Sequence, residues 1–275
     1  MKDALSDAAA FYDLDRNGTL SPYEEEPVVG LMCDLSRNFW FQGRSNDAAI
    51  WVDRAIERST SLDHPLSLCL ALSSLLLIHI LSGEAEKINP VARKMLVLSE
   101  DNGFRLWTHS AIFVLGWAKG DPEGFVMLRD AKRIILEDLP GYAPLYSALE
   151  ANAALRAQRP HNALEAIEEG KSGAGRTGIN VLDPEFLRLE GEARLMIEPN
   201  SREPAEQLFH EALDKAISAD AFGLALKAAL SLVRLSPEDV RRVRVILERI
   251  PESRGTPDWD EAFRICQDVP ASWLP

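Results

Sequence analysis

A chain of 275 residues, 46% hydrophobic and 27% charged, has ample material for a sizeable core. Its 43 Asp+Glu outweigh 30 Lys+Arg for a formal net charge of −13. The basic footprint that phosphate backbones require is therefore missing, which excludes nucleic acid as a direct partner. Cys33, Cys69 and Cys266 are scattered and odd in number, which argues against a disulfide framework and for a reducing, cytoplasmic setting.

The first stretch, MKDALSDAAAFYD, carries acids where a signal peptide needs an apolar run, and reads as a short helix over residues 2–12. DLDRNGTLSPYE follows, from Asp13 to Glu24. It has the ligand order of an EF-hand calcium loop, with Asp13, Asp15, Asn17, Thr19 and Glu24 as the metal-ligating candidates. Against that reading, Pro22 sits inside the loop, Glu25, Glu26 and Pro27 break the exit, and no second such loop occurs. The favoured reading makes residues 1–26 a helix and an acidic linker rich in turn residues, and residues 27–270 the folded domain, with no metal and no cofactor. Calcium binding through Asp13–Glu24 is the alternative.

Next comes PVVGLMCDLSRNFWF, with more apolar side chains than one hairpin can hide. The expectation is that residues 28–41 border a partner surface or a self-association surface, with Phe39 and Trp40 as its contacts. LSLCLALSSLLLIHILS, Leu66 to Ser82, is the most apolar run. It is shorter than the ~20 residues of a membrane span and carries four serines and a histidine, so it predicts a helix buried on most sides rather than a membrane segment.

Spacing then reveals a repeat. Small or apolar residues separated by four and then three recur as Ala48-Val52-Ala55, Ile88-Ala92-Met95, Gly124-Leu128-Ala131, Ala163-Ile167-Gly170 and Ala205-Phe209-Ala212. Each trio lies on one helix face, and each follows a Gly or Pro turn. A near-constant period of about 40 residues predicts stacked helical hairpins. GKSGAGRTG, Gly170 to Gly178, spells a glycine-rich phosphate loop, but it follows the helical NALEAIEE instead of a strand and so reads as the end of a helix. PEDVRRVRVILERIPESRG, bracketed by Pro251 and Pro257, reads as a charged cap on the last repeat.

LEGEARLM followed by PAEQLFHEAL, with Gly191, Ala205, Phe209 and Ala212, resembles a tetratricopeptide repeat. The ordered series HPLSLCLALSSLLLIHILSGE, LSEDNGFRLW, GWAKGDPEGFVMLRDA, FLRLEGEARL and GTPDWDEAFRI resembles more. It is similar to the C-terminal repeat region of large bacterial signalling proteins, which carry an adenylate-cyclase-like or winged-helix domain and a P-loop ATPase domain before it. The resemblance covers roughly residues 25–265 and implies a regulatory module, with an ATPase or cyclase domain among the expected partners. From these readings the expected fold is all-α, a right-handed superhelical solenoid of about six stacked antiparallel hairpins forming an open superhelix. His64, His79, His109, His161 and His210 fall in separate repeats without HExxH, CxxC or GxSxG, so the expected function is binding of a protein or peptide and not catalysis.

Overall fold

The computed structural model describes residues 24–178, 180–200 and 202–268. Thirteen α-helices and three short 3₁₀ turns make up these residues, with no strand among them. The hairpins are α1 (Pro27–Phe41) with α2 (Ser45–Ser61), α3 (Pro65–Leu81) with α4 (Ala85–Asp101), and α5 (Arg105–Lys119) with α6 (Pro122–Asp138). They continue as α7 (Ala143–Arg156) with α8 (Pro160–Thr177), α9 (Asp183–Ile197) with α10 (Arg202–Ser218), and α11 (Phe222–Leu235) with α12 (Val240–Arg249); α13 (Pro257–Asp268) follows. The chain is an all-α solenoid of helical repeats.

Local chemistry sets the helix ends. Proline opens α1, α3, α6 and α8, where its missing N–H costs nothing. Nearly every turn contains one left-handed residue: six glycines and Asp63, Gln158 and Asp220. Pro27, expected to break a helix, instead starts α1, with Glu26 as its cap. The buried Glu26 carboxylate accepts from Val29 N at 2.7 Å and from Arg58 of α2 at 2.8 and 3.0 Å, while Glu26 N donates to Ser67 Oγ of α3 at 2.8 Å. One residue thus pins the first three helices.

The hairpins form two layers. The odd-numbered helices α1 to α11 touch in succession, and α11 returns to touch α1. They form an inner ring, and the even-numbered helices pack outside it. Burial follows this division. Inner α3 buries ten of its seventeen residues, whereas outer α4 buries one stripe, Ile88, Ala92, Met95 and Ser99. All five predicted trios are buried, each on the inward stripe of an outer helix.

The ring closes through its own ends, which corrects the expectation of an open superhelix. Ser253 Oγ, in the 3₁₀ turn after α12, donates to Gly43 O at 2.7 Å and lies 2.9 Å from Ser45 Oγ. A Cβ at Gly43 would meet Ile250 Cγ2 at 2.2 Å, and one at Gly223 would meet Trp40 O at 2.7 Å. Both contacts exist because neither residue has a side chain. Phe39 and Trp40, expected at a partner surface, are 1% and 4% exposed. Trp40 Nε1 donates to Ser82 Oγ at 2.9 Å, and the chain's own last hairpin covers the apolar segment around it. The segment read as a charged cap does the covering. Val240, Val243, Ile246 and Leu247 form a buried stripe beneath its arginines.

Candidate functional site

The inner ring encloses a cavity of about 210 Å³ against the first four hairpins. Leu77 and Ile80 of α3, Trp107 and Val114 of α5, and Leu149 of α7 supply apolar wall. A second cleft, about 520 Å³, adjoins it and runs toward Leu182 before α9; Arg37, Leu77, Tyr142 and Leu145 line both. Tyr142, in the 3₁₀ turn that precedes α7, is 46% exposed. Concave, largely apolar space with a few convergent polar groups is the usual form of a ligand site.

Those polar groups come from different helices. Arg37 of α1 donates to Ser74 Oγ of α3 at 2.8 Å and pairs with Asp34 one turn earlier. Ser110 of α5 and Tyr146 of α7 share a hydrogen bond at 3.2 Å, and the Tyr146 ring meets Phe113 edge-on at 5.0 Å between centroids. Burial raises the Tyr146 phenol pKa, only partly offset by the Ser110 bond. Glu25, exposed just before α1, also lines the cavity; partial loss of water on its cavity side raises its carboxyl pKa, and the Arg37 charge opposes that rise.

The ring's other half is held by ions. Arg188 of α9 donates to both Glu185 oxygens at 2.6 and 2.8 Å and to Glu192 at 2.5 Å. Glu192 accepts from Ser231 of α11 at 2.7 Å, and Lys227 of α11 reaches Asp258 of α13 at 2.7 Å. Burial would raise the Glu192 pKa, but the Arg188 charge and the Ser231 bond outweigh it and hold the carboxyl below the usual range. The cavity-bearing half holds a buried cation of its own away from the cavity: Lys132 of α6 is satisfied by Ser147, Glu150 and Glu169 at 2.7–2.8 Å.

The other sequence candidates are not brought to the cavity. Asp13, Asp15, Asn17 and Thr19 lie outside the described residues, and Glu24 is exposed beside the cavity mouth. GKSGAGRTG is the end of α8, closed by left-handed Gly178, and a Cβ at Gly170 would meet Phe186 at 2.3 Å. This glycine serves packing. Glu206, His210 and Asp239 bring one ligand atom each within 4.8 Å of one another, a set hidden from sequence because Asp239 comes from the next hairpin. Arg242 already neutralises Asp239 at 3.2 Å, so this reads as a polar surface cluster. Sequence reasoning also missed Arg37, Tyr142 and Tyr146. The one available signal was Arg37 itself, a single cation within the apolar PVVGLMCDLSRNFWF.

No family model matches the chain, and no curated protein matches it. Among the described residues, no helix is long and apolar enough to cross a membrane.

Proposed function

We propose that this chain is a non-catalytic protein- or peptide-binding repeat domain, working in the cytoplasm as a regulatory module of a bacterial signalling or transcription-regulatory protein. The observation that carries the reading is the cavity inside the ring. Its walls are apolar and aromatic, and Arg37, Ser74, Ser110 and Tyr146 are bonded to neighbours in a way that shapes a pocket and activates no nucleophile. A side chain or chain end of a partner fits such a space, with the adjoining cleft taking the residues that follow. Peptides selected on the purified chain from a random display library should protect amides of α1, α3, α5 and α7 from hydrogen exchange. Tyr142→Ala should weaken them at least tenfold. Protection confined to the even-numbered helices, or affinity indifferent to Tyr142→Ala, overturns the reading.

A further inference from the structure

We propose that the cavity inside the ring selects an organic ammonium group carried on a small apolar body, of about the size of a phenyl ring with a two-carbon tail. The inference rests on the reading of the cavity as a binding site and adds the chemistry of what enters it.

Size comes first. An apolar cavity of roughly 150 Å³ accommodates benzene. The space here is about 210 Å³, which leaves room for a ring and a short tail. The walls suit a ring: Leu77, Ile80 and Val114 are aliphatic, and Trp107 and Tyr146 offer aromatic surface.

Charge decides the rest. Arg37, the cation on the cavity wall, is committed to Ser74 and the Asp34 carboxylate. Arg105, in the recess beside the mouth, is committed to Glu137 at 2.7 Å and Asp138 at 3.1 Å. Glu25 lines both the cavity and that recess, next to Trp107, and has neither a hydrogen bond nor an ion pair among the described residues. Glu24 lines the same recess. Among the described residues, the entrance therefore presents a Glu25 carboxylate with no hydrogen bond or ion pair, while Arg37 and Arg105 are paired with other carboxylates. An incoming anion gains no free cation and meets Glu24 and Glu25. An incoming ammonium gains Glu25, exposed at the mouth, as a charged hydrogen-bond partner. It also meets the aromatic side chains of Trp107 and Tyr142, which line the cavity. The net charge of −13 adds long-range attraction of the same sign preference.

Such an ammonium could belong to a free amine or to the amino-terminal residue of a peptide, and the test separates them. Isothermal titration with phenethylamine, 2-phenylethanol and 3-phenylpropionate holds the apolar body nearly constant and varies the charge. Phenethylamine should bind at least tenfold more tightly than 3-phenylpropionate, with 2-phenylethanol between. Glu25→Gln should remove most of that preference and leave 2-phenylethanol unchanged, and an unaltered circular dichroism melt shows the fold intact. Phenylalanyl-glycinamide, compared with its N-acetyl form, reports whether a peptide amino terminus is accepted as well as a free amine. Equal or tighter binding of 3-phenylpropionate overturns the proposal, as does a preference that survives Glu25→Gln, or the failure of all three probes at millimolar concentration. A library peptide that binds the cavity and is not displaced by phenethylamine would sink this proposal alone and leave the binding-module reading standing.

Discussion

The two halves of the inner ring are built from the same hairpin, yet they face the centre with opposite chemistry. From α1 to α7 the inner helices surround space, with Trp107, Leu77 and Tyr146 on the wall and Arg37 held at the edge. From α9 to α13 they are tied by Arg188, Glu185, Glu192, Ser231, Lys227 and Asp258. Apolar side chains of unequal size pack against their neighbours and leave a hollow. Charged side chains reach across and bind one helix to the next. The difference teaches that in this architecture the composition of the inner helices, and not the repeat itself, decides where a ligand can enter.

The sharpest way to break this contrast is to remove the same kind of residue from each half. Arg188→Met strands the buried carboxylate of Glu185 and removes a partner from half-buried Glu192, and should cost about 3 kcal/mol or more in urea unfolding. Arg37→Met breaks a pair whose Asp34 partner is 64% exposed and should cost about 1 kcal/mol or less. Similar losses for the two would erase the distinction.

The closure that joins the halves is tested by Gly223→Val. The added side chain has to displace Trp40 O, and overpacking of this kind costs about 1–3 kcal/mol. Small-angle scattering should show a larger radius of gyration for the variant. An unchanged radius and melt would mean that the contact does not hold the ring shut.

A pH titration sharpens the ionic side. Glu192, Glu190 and Glu84 all have folded pKa values below their ordinary value, each because neighbouring cations or hydrogen bonds outweigh the rise due to burial. Groups depressed in this sense contribute stability that is fully present above the unfolded pKa and lost as pH falls through the folded one. The melting temperature should therefore drop as pH is lowered below about 4, and Arg188→Met should flatten the share due to Glu192. A smaller effect lies in the first hairpins. Burial pushes the Cys33 thiol up to about 11 and that of Cys69 to about 12. A disulfide reagent at pH 8 should therefore label neither until urea opens α1 and α3; rapid labelling of the native protein would show that half of the ring to be loose. The least effect is expected from Tyr142→Ala, within about 0.5 kcal/mol in stability because the ring is exposed, while ligand binding falls.

Sequence made the hairpins legible because their signals are local. Each trio needs only seven or eight residues to declare a helix face, and Gly43, Gly83 and Gly103 mark turns within a few residues of the helices they end. The burial of the Leu66–Ser82 run was equally plain from its composition. The closure was not legible, since Gly43 and Ser253 are far apart in the chain and neither residue type announces a partner. The same gap explains Phe39 and Trp40: without the returning helices, an apolar segment at the start of an array reads as exposed. The charges of VRRVRVILER concealed the i, i+3 stripe of Val240, Val243 and Ile246 beneath them. The cavity was invisible for a further reason. Its polar groups come one from each helix, so no stretch of sequence holds two helices' worth of them.

An open stack of hairpins can lengthen or shorten by one unit and remain a stack, because every unit asks only for a neighbour. A stack whose last member rests on its first has lost that freedom. Inserting or deleting one hairpin would leave Trp40 without Gly223 and Gly43 without Ser253, so drift in copy number, the ordinary route by which repeat proteins diversify, is blocked. For the six hairpins among the described residues, change has to come through substitution on the inner wall.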